Sequence, residues 1–128
     1  MATATVEQRN RDIVVGAIEA VKGGDADTFM AVLDPQVKIH EPPNLPYGGL
    51  YEGRESFLQI YEQVIKLADP TQIELISATA DAERAVLLMT IPLLSGERFY
   101  VTEHWCLTNG LVTDVRVFWF EIPDFERH

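Results

Sequence analysis

Two glutamates stand where strand alternation expects apolar side chains. In Val37-Lys38-Ile39-His40-Glu41, the side chains of Val37, Ile39 and Glu41 share one face, because successive residues of a strand point to opposite sides. Glu103 shares its face with Phe99, Val101, Trp105 and Leu107. A carboxyl among apolar neighbours is rare unless it is paired, hydrogen-bonded or functional. Burial disfavours the charged form and raises the pKa toward neutrality. A carboxylate tuned in this way is a better base near pH 7, while one that keeps its proton becomes a hydrogen-bond donor. Two such carboxyls meeting across one pocket can divide the labour: one removes a proton and the other stabilises an oxyanion. Two other placements stay open. Glu41 can face solvent at its strand end, and Glu103 can face outward if Tyr100, Cys106 and Thr108 form the buried side.

The remaining chemistry-bearing residues point elsewhere. On the last strand, Val115, Val117 and Trp119 share a face, opposite Asp114, Arg116, Phe118 and Phe120. With Tyr47, Tyr61, Val101 and Trp105 they are the expected walls of a substrate pocket. His40 and His104 each adjoin a glutamate, but strand neighbours point apart, so a histidine does not share a site with its own glutamate. A metal would need both histidines together on the other face, and no metal or other cofactor is expected. His128 is terminal. Cys106 lies mid-strand, with no nucleophile elbow or glycine-rich phosphate loop near it, and Gly48-Gly49 has the look of a turn.

Several elements must position these groups. Thr5 and Gln8 form a capping-box pattern ahead of Val6, Ile13, Val14, Ala17, Ile18 and Val21 at helical spacing, and Gly23-Gly24 stops that helix. Asp25 caps a second helix over about residues 26–33, which Asp34-Pro35 ends. A strand follows over 36–41, then an ordered loop over 42–53 with three prolines and three glycines. A third helix spans 54–67 and carries Phe57, Ile60, Tyr61, Val64 and Leu67. The period then becomes two, with strands expected at 72–80, 85–94, 97–108 and 111–122. Ser95-Gly96 and Asn109-Gly110 are hairpin signals between them. Helices first and an antiparallel meander afterwards imply an α+β domain over residues 1–128, with helices on one face of a curved sheet.

Composition narrows the function classes. The chain has 128 residues, enough for one core and too few for two ordinary domains. A net charge of −10 argues against nucleic acid or anionic membranes as partners, since both reward basic surface. No run approaches the ~20 apolar residues of a membrane helix, and the N-terminus lacks the features of a secretory signal. Cys106 is the only cysteine, so no internal disulfide forms, which suits a reducing cytoplasm.

The order of elements, together with certain residues, resembles the nuclear transport factor 2-like superfamily over nearly the whole chain. Its SnoaL-like and ketosteroid isomerase-like branches are the nearest. Val37 to Pro42 is similar to the isomerase strand that carries an acidic base just before proline. Val101 to Trp105 looks like the strand bearing the oxyanion-binding carboxylic acid, and Asp114 to Ile122 like the final, cavity-lining strand. The Gly23-Gly24-Asp25 break and Gly53-Arg54-Glu55 match helix boundaries of that family. The resemblance implies a cone-shaped, curved mixed or antiparallel sheet with three helices from the N-terminal half on its concave face, enclosing an apolar pocket. It implies Glu41 as base, Glu103 as protonated acid, Val115, Val117 and Trp119 as cavity walls, and a homodimer. The Phe118, Phe120 face gives the dimer independent support. Two departures matter. The isomerases' oxyanion-binding tyrosine on the first helix corresponds to about Ala17, and both acids are glutamates in place of aspartates. Steroid isomerisation is therefore not expected. The expected function is cofactor-independent acid–base chemistry (isomerase, cyclase or dehydratase type) on a small apolar carbonyl compound. The alternative is a non-catalytic module of the same fold that binds an apolar ligand or dimerises.

Overall fold

The computed structural model describes residues 4–125, so His128 lies outside the described residues. Helix α1 (Val6–Lys22) starts from the full capping box, in which Thr5 accepts from the Gln8 amide and the Gln8 side chain accepts from the Thr5 amide. Helix α2 (Ala26–Ala31) is capped by Asp25 and ends two residues before the expected boundary. Proline at 35 disfavours helical backbone at Asp34. Leu33 instead opens strand β1 (Leu33–Glu41) and pairs with Val112.

The segment expected as an irregular loop contains a short strand, β2 (Gly49–Glu52), antiparallel to β1 with Glu41 opposite Gly49. This corrects the reading of residues 42–53 as loop throughout. Four residues with two apolar members carry almost no periodic signal. Helix α3 (Ser56–Leu67) follows. Strands β3 (Glu74–Ala80), β4 (Arg84–Pro92), β5 (Arg98–Thr108) and β6 (Leu111–Trp119) then form an antiparallel meander. The tight turn between β5 and β6 has both Asn109 (φ 51°) and Gly110 (φ 81°) in the left-handed region, as a two-residue hairpin of this hand requires.

The sheet order is β2-β1-β6-β5-β4-β3, and β1 runs parallel to β6. The sheet is therefore mixed, and it is not closed. The three helices cover its concave face. From α1 come Val14, Ala17 and Ile18, and from the sheet come the buried alternate residues of β4, β5 and β6. Phe29 of α2 stacks on Phe57 of α3 at 4.1 Å and meets the Trp105 ring edge-on at 5.7 Å. Asn10, itself buried, donates to the carbonyls of Asp81 and Ala82 and so ties α1 to the β3–β4 turn.

Candidate active site

Strand β1 delivers Glu41 at its last residue, on the face that Val37 and Ile39 bury. Strand β5 delivers Glu103 from its middle, flanked across the sheet by Leu87 on β4 and Val117 on β6. Both carboxyls are partly buried and line one cavity of about 110 Å³. That volume is somewhat below the roughly 150 Å³ of an engineered apolar cavity that accepts benzene. Its other walls are apolar: Ile18 and Val21 from α1, Ile60 from α3, Met89 and Ile91 from β4. None of the lining residues is a lysine, arginine or histidine.

That environment sets the ionisation of the pair. Burial, and then repulsion from Glu103, pushes the Glu41 pKa up to about 8. Burial also pushes Glu103 up, to about 7, while a hydrogen bond works against the shift. In that bond the Trp105 indole N–H donates to Glu103 Oε1 at 2.9 Å. Between these two pKa values the pair carries about one negative charge, shared in a coupled titration.

Tyr47 completes this end of the cavity. Its ring is buried, and its phenol is pushed well above its usual pKa by burial first, then by Glu41, Glu103 and Tyr51. Its position is held through the backbone, because the Tyr51 hydroxyl donates to the Tyr47 carbonyl at 2.7 Å. Next to it, Gly48 sits so close to the start of the loop that a Cβ there would lie 2.2 Å from the Pro42 carbonyl oxygen. The Leu45 amide donates to that same oxygen at 3.1 Å, and the Gly48 amide donates to the Leu45 carbonyl at 2.9 Å. The loop thus folds back on itself and presents Tyr47 beside both carboxyls.

Of the residues expected at the site, Glu41, Glu103, Tyr47, Tyr61, Val101, Val117 and Trp119 line the cavity. Trp105 and Val115 do not. Trp105 is 1% exposed and meets the site only through its N–H, and Val115 is buried in the sheet between Ile39 and Trp105. Sequence reasoning missed the Trp105–Glu103 bond. Its signal was present in the i, i+2 spacing, which puts an indole donor beside a carboxyl on one strand face. Also missed were Ile18, Val21, Met89 and Ile91, which looked like ordinary core.

The histidines lie on the opposite face of the sheet. His40 Nε2 is 2.8 Å from Asp114 Oδ1, and Arg116 Nε is 3.5 Å from the other oxygen of that carboxylate. His104 meets Phe118 edge-on at 5.1 Å. Arg116 is the register partner of both histidines, so the strand between them carries a cation and not a shared ligand site.

Residues 14–115 match the SnoaL-like domain, and the chain belongs to that family. Among curated proteins none matches the chain significantly. Solved structures share the fold at low sequence identity. A candidate ketosteroid isomerase from Kribbella flavida DSM 17836 is 21% identical with a TM-score of 0.78, covering 94% of this chain and 84% of its own. Bal32a, from a soil-derived mobile gene cassette, is 18% identical with a TM-score of 0.80 and 95% coverage of both chains. A candidate SnoaL-like polyketide cyclase from Jannaschia sp. CCS1 is 16% identical with a TM-score of 0.75, covering 94% of this chain and 91% of its own.

Proposed function

We propose that the protein is a cofactor-independent acid–base enzyme acting on a small, largely apolar carbonyl compound. One observation carries this reading: two carboxyls face a single apolar cavity that offers no cation to hold them both ionised. With one proton between them, the ionised member takes a proton from the carbon next to the carbonyl. The C–H electron pair becomes the double bond of an enolate, and the protonated member donates to the enolate oxygen. Return of the proton to another carbon completes an isomerisation. Attack of the enolate carbon on a second carbonyl gives a cyclisation, and loss of hydroxide as water gives a dehydration. Val101, Val117, Tyr61 and Trp119 hold the apolar body of the substrate, and Tyr47 borders its polar end. The names of the candidate isomerase and cyclase of like fold are in keeping with this class of chemistry.

The test is hydrogen–deuterium exchange at the α-carbon of a small cyclic ketone, followed by NMR. The wild-type protein is expected to accelerate exchange over buffer, and the Glu41→Gln, Glu103→Gln double variant is expected not to. Equal exchange by both proteins sinks the reading. A second reading, a non-catalytic module for an apolar ligand, draws on α1, which lends the cavity Ile18 and Val21 but no tyrosine. It predicts ligand affinity without exchange.

We also propose a homodimer formed through the outer face of β4–β6 in a reducing cytoplasm. There Tyr100 is 54%, Phe118 51% and Phe120 83% exposed, and with Leu88 they border one apolar groove. A symmetric pairing of this patch with itself removes all of them from water. The net charge of −10 speaks against nucleic acid or anionic membranes as alternatives.

A further inference from the structure

We propose that the Trp105 indole, whose N–H lies 2.9 Å from Glu103 Oε1, makes Glu103 the ionised member of the pair and hence the base, leaving Glu41 as the oxyanion donor. This is the reverse of the order implied by the family resemblance, and it rests on the acid–base reading above.

The physical argument starts with what an indole can do. Its N–H donates and never accepts, so it stabilises a carboxylate more than a neutral carboxyl. Trp105 is 1% exposed and packs against Phe29, so the donor is fixed in place and loses no water when the site fills. The remaining surroundings of Glu103 offer no competing source of charge. The titratable groups lining the cavity with it are Glu41 from β1, Tyr47 from the loop before β2 and Tyr61 from α3. Helices α1 and α2 and strands β4 and β6 contribute only apolar or aromatic side chains there, among them Val21, Phe29, Met89 and Val117. Glu41 has no hydrogen-bond donor comparable to the indole among the described residues. Of two carboxyls in one apolar cavity, the single negative charge therefore settles on the one that has a donor. In the reaction the Glu103 carboxylate accepts the proton from carbon, the C–H pair moves into the enolate, and the Glu41 O–H donates to its oxygen. Trp105 touches no substrate; it is a positioning residue that acts through Glu103.

Carbon-13 NMR of the glutamate side-chain carboxyls in the ligand-free protein tests the order without any need for turnover. The Glu103 carboxyl signal is expected to move at lower pH than that of Glu41, with the Trp105 indole N–H signal moving in step with it. Earlier movement of Glu41 overturns the inference. Trp105→Phe is expected to raise the Glu103 ionisation by about one pH unit. It should also carry the acid limb of the pH–rate profile upward by the same amount. A Glu103 titration unmoved in a folded Trp105→Phe protein overturns it as well. Single variants supply the kinetic arm. Glu103→Gln should lose at least about 100-fold in α-proton exchange, the scale of a missing general base. Glu41→Gln, whose amide still donates, should keep a measurable fraction, and the opposite split refutes the assignment. If no protein exchanges protons while the titration order holds, the proposed function fails and the ionisation order stands.

Discussion

Burial of two carboxyls against the same apolar wall makes this site sensitive to protons in a way that a surface pair is not. The proposed mechanism needs one carboxylate and one carboxylic acid, so on that reading kcat/KM is expected to rise with pH through about 7 and to fall through about 8. A rate flat across pH 6 to 9 would contradict this, measured with the ketone that exchanges fastest. The same groups link stability to pH. For each glutamate the folded-state pKa lies above the unfolded value of 4.5, so the folded state binds more protons across the window from 4.5 to about 8. Stability therefore falls as pH rises through that window. Below pH 4.5 both carboxyls are neutral in both states and this penalty is absent. Thermal melts of Glu41→Gln should show a shallower loss of Tm between pH 5 and pH 8 than those of the wild type.

At the scale of elements, the loop from Pro42 to Gly48 is the most demanding piece. The 2.2 Å approach at Gly48 leaves no room for a methyl group beside the Pro42 carbonyl. Gly48→Ala should displace Tyr47, raise KM for the ketone several-fold or more and also lower Tm. A KM unchanged from wild type would mean that the loop has no part in binding. Phe29→Ala removes the ring that bridges Phe57 and Trp105, and should cost about 3–5 kcal/mol in chemical denaturation. What was legible in the sequence follows from range. The capping box at Thr5 and the turn at Asn109-Gly110 are local, and the faces of Glu41 and Glu103 follow from alternation within single strands. β2 was hidden because four residues carry too little periodicity and gain their stability from β1 alone. The Trp105–Glu103 bond was hidden because alternation says which face a side chain takes, not which way its N–H points.

For the whole molecule, the outer sheet face is the feature that no other element covers among the described residues. Dimerisation through it predicts a single species of twice the monomer mass in light scattering. Phe118→Glu with Phe120→Glu should return that species to monomer without changing the circular dichroism of the fold. A wild-type protein that stays monomeric across concentrations would refute the interface. Among the described residues no helix is long and apolar enough to cross a membrane.

The parallel pairing of β1 with β6 also bears on how the protein comes into being. β1 ends at residue 41 and β6 begins at residue 111, yet they are neighbours near the centre of the sheet. Without β6, the β1–β2 ribbon and the β3–β5 meander have no strand to join them. The wall that carries Val117 and Trp119 closes the cavity only when β6 inserts between them. Assembly of the sheet is thus a late, long-range event, of the kind that slows folding because chain closure precedes the contacts that reward it. The cavity that both carboxyls line is complete only with that strand in place.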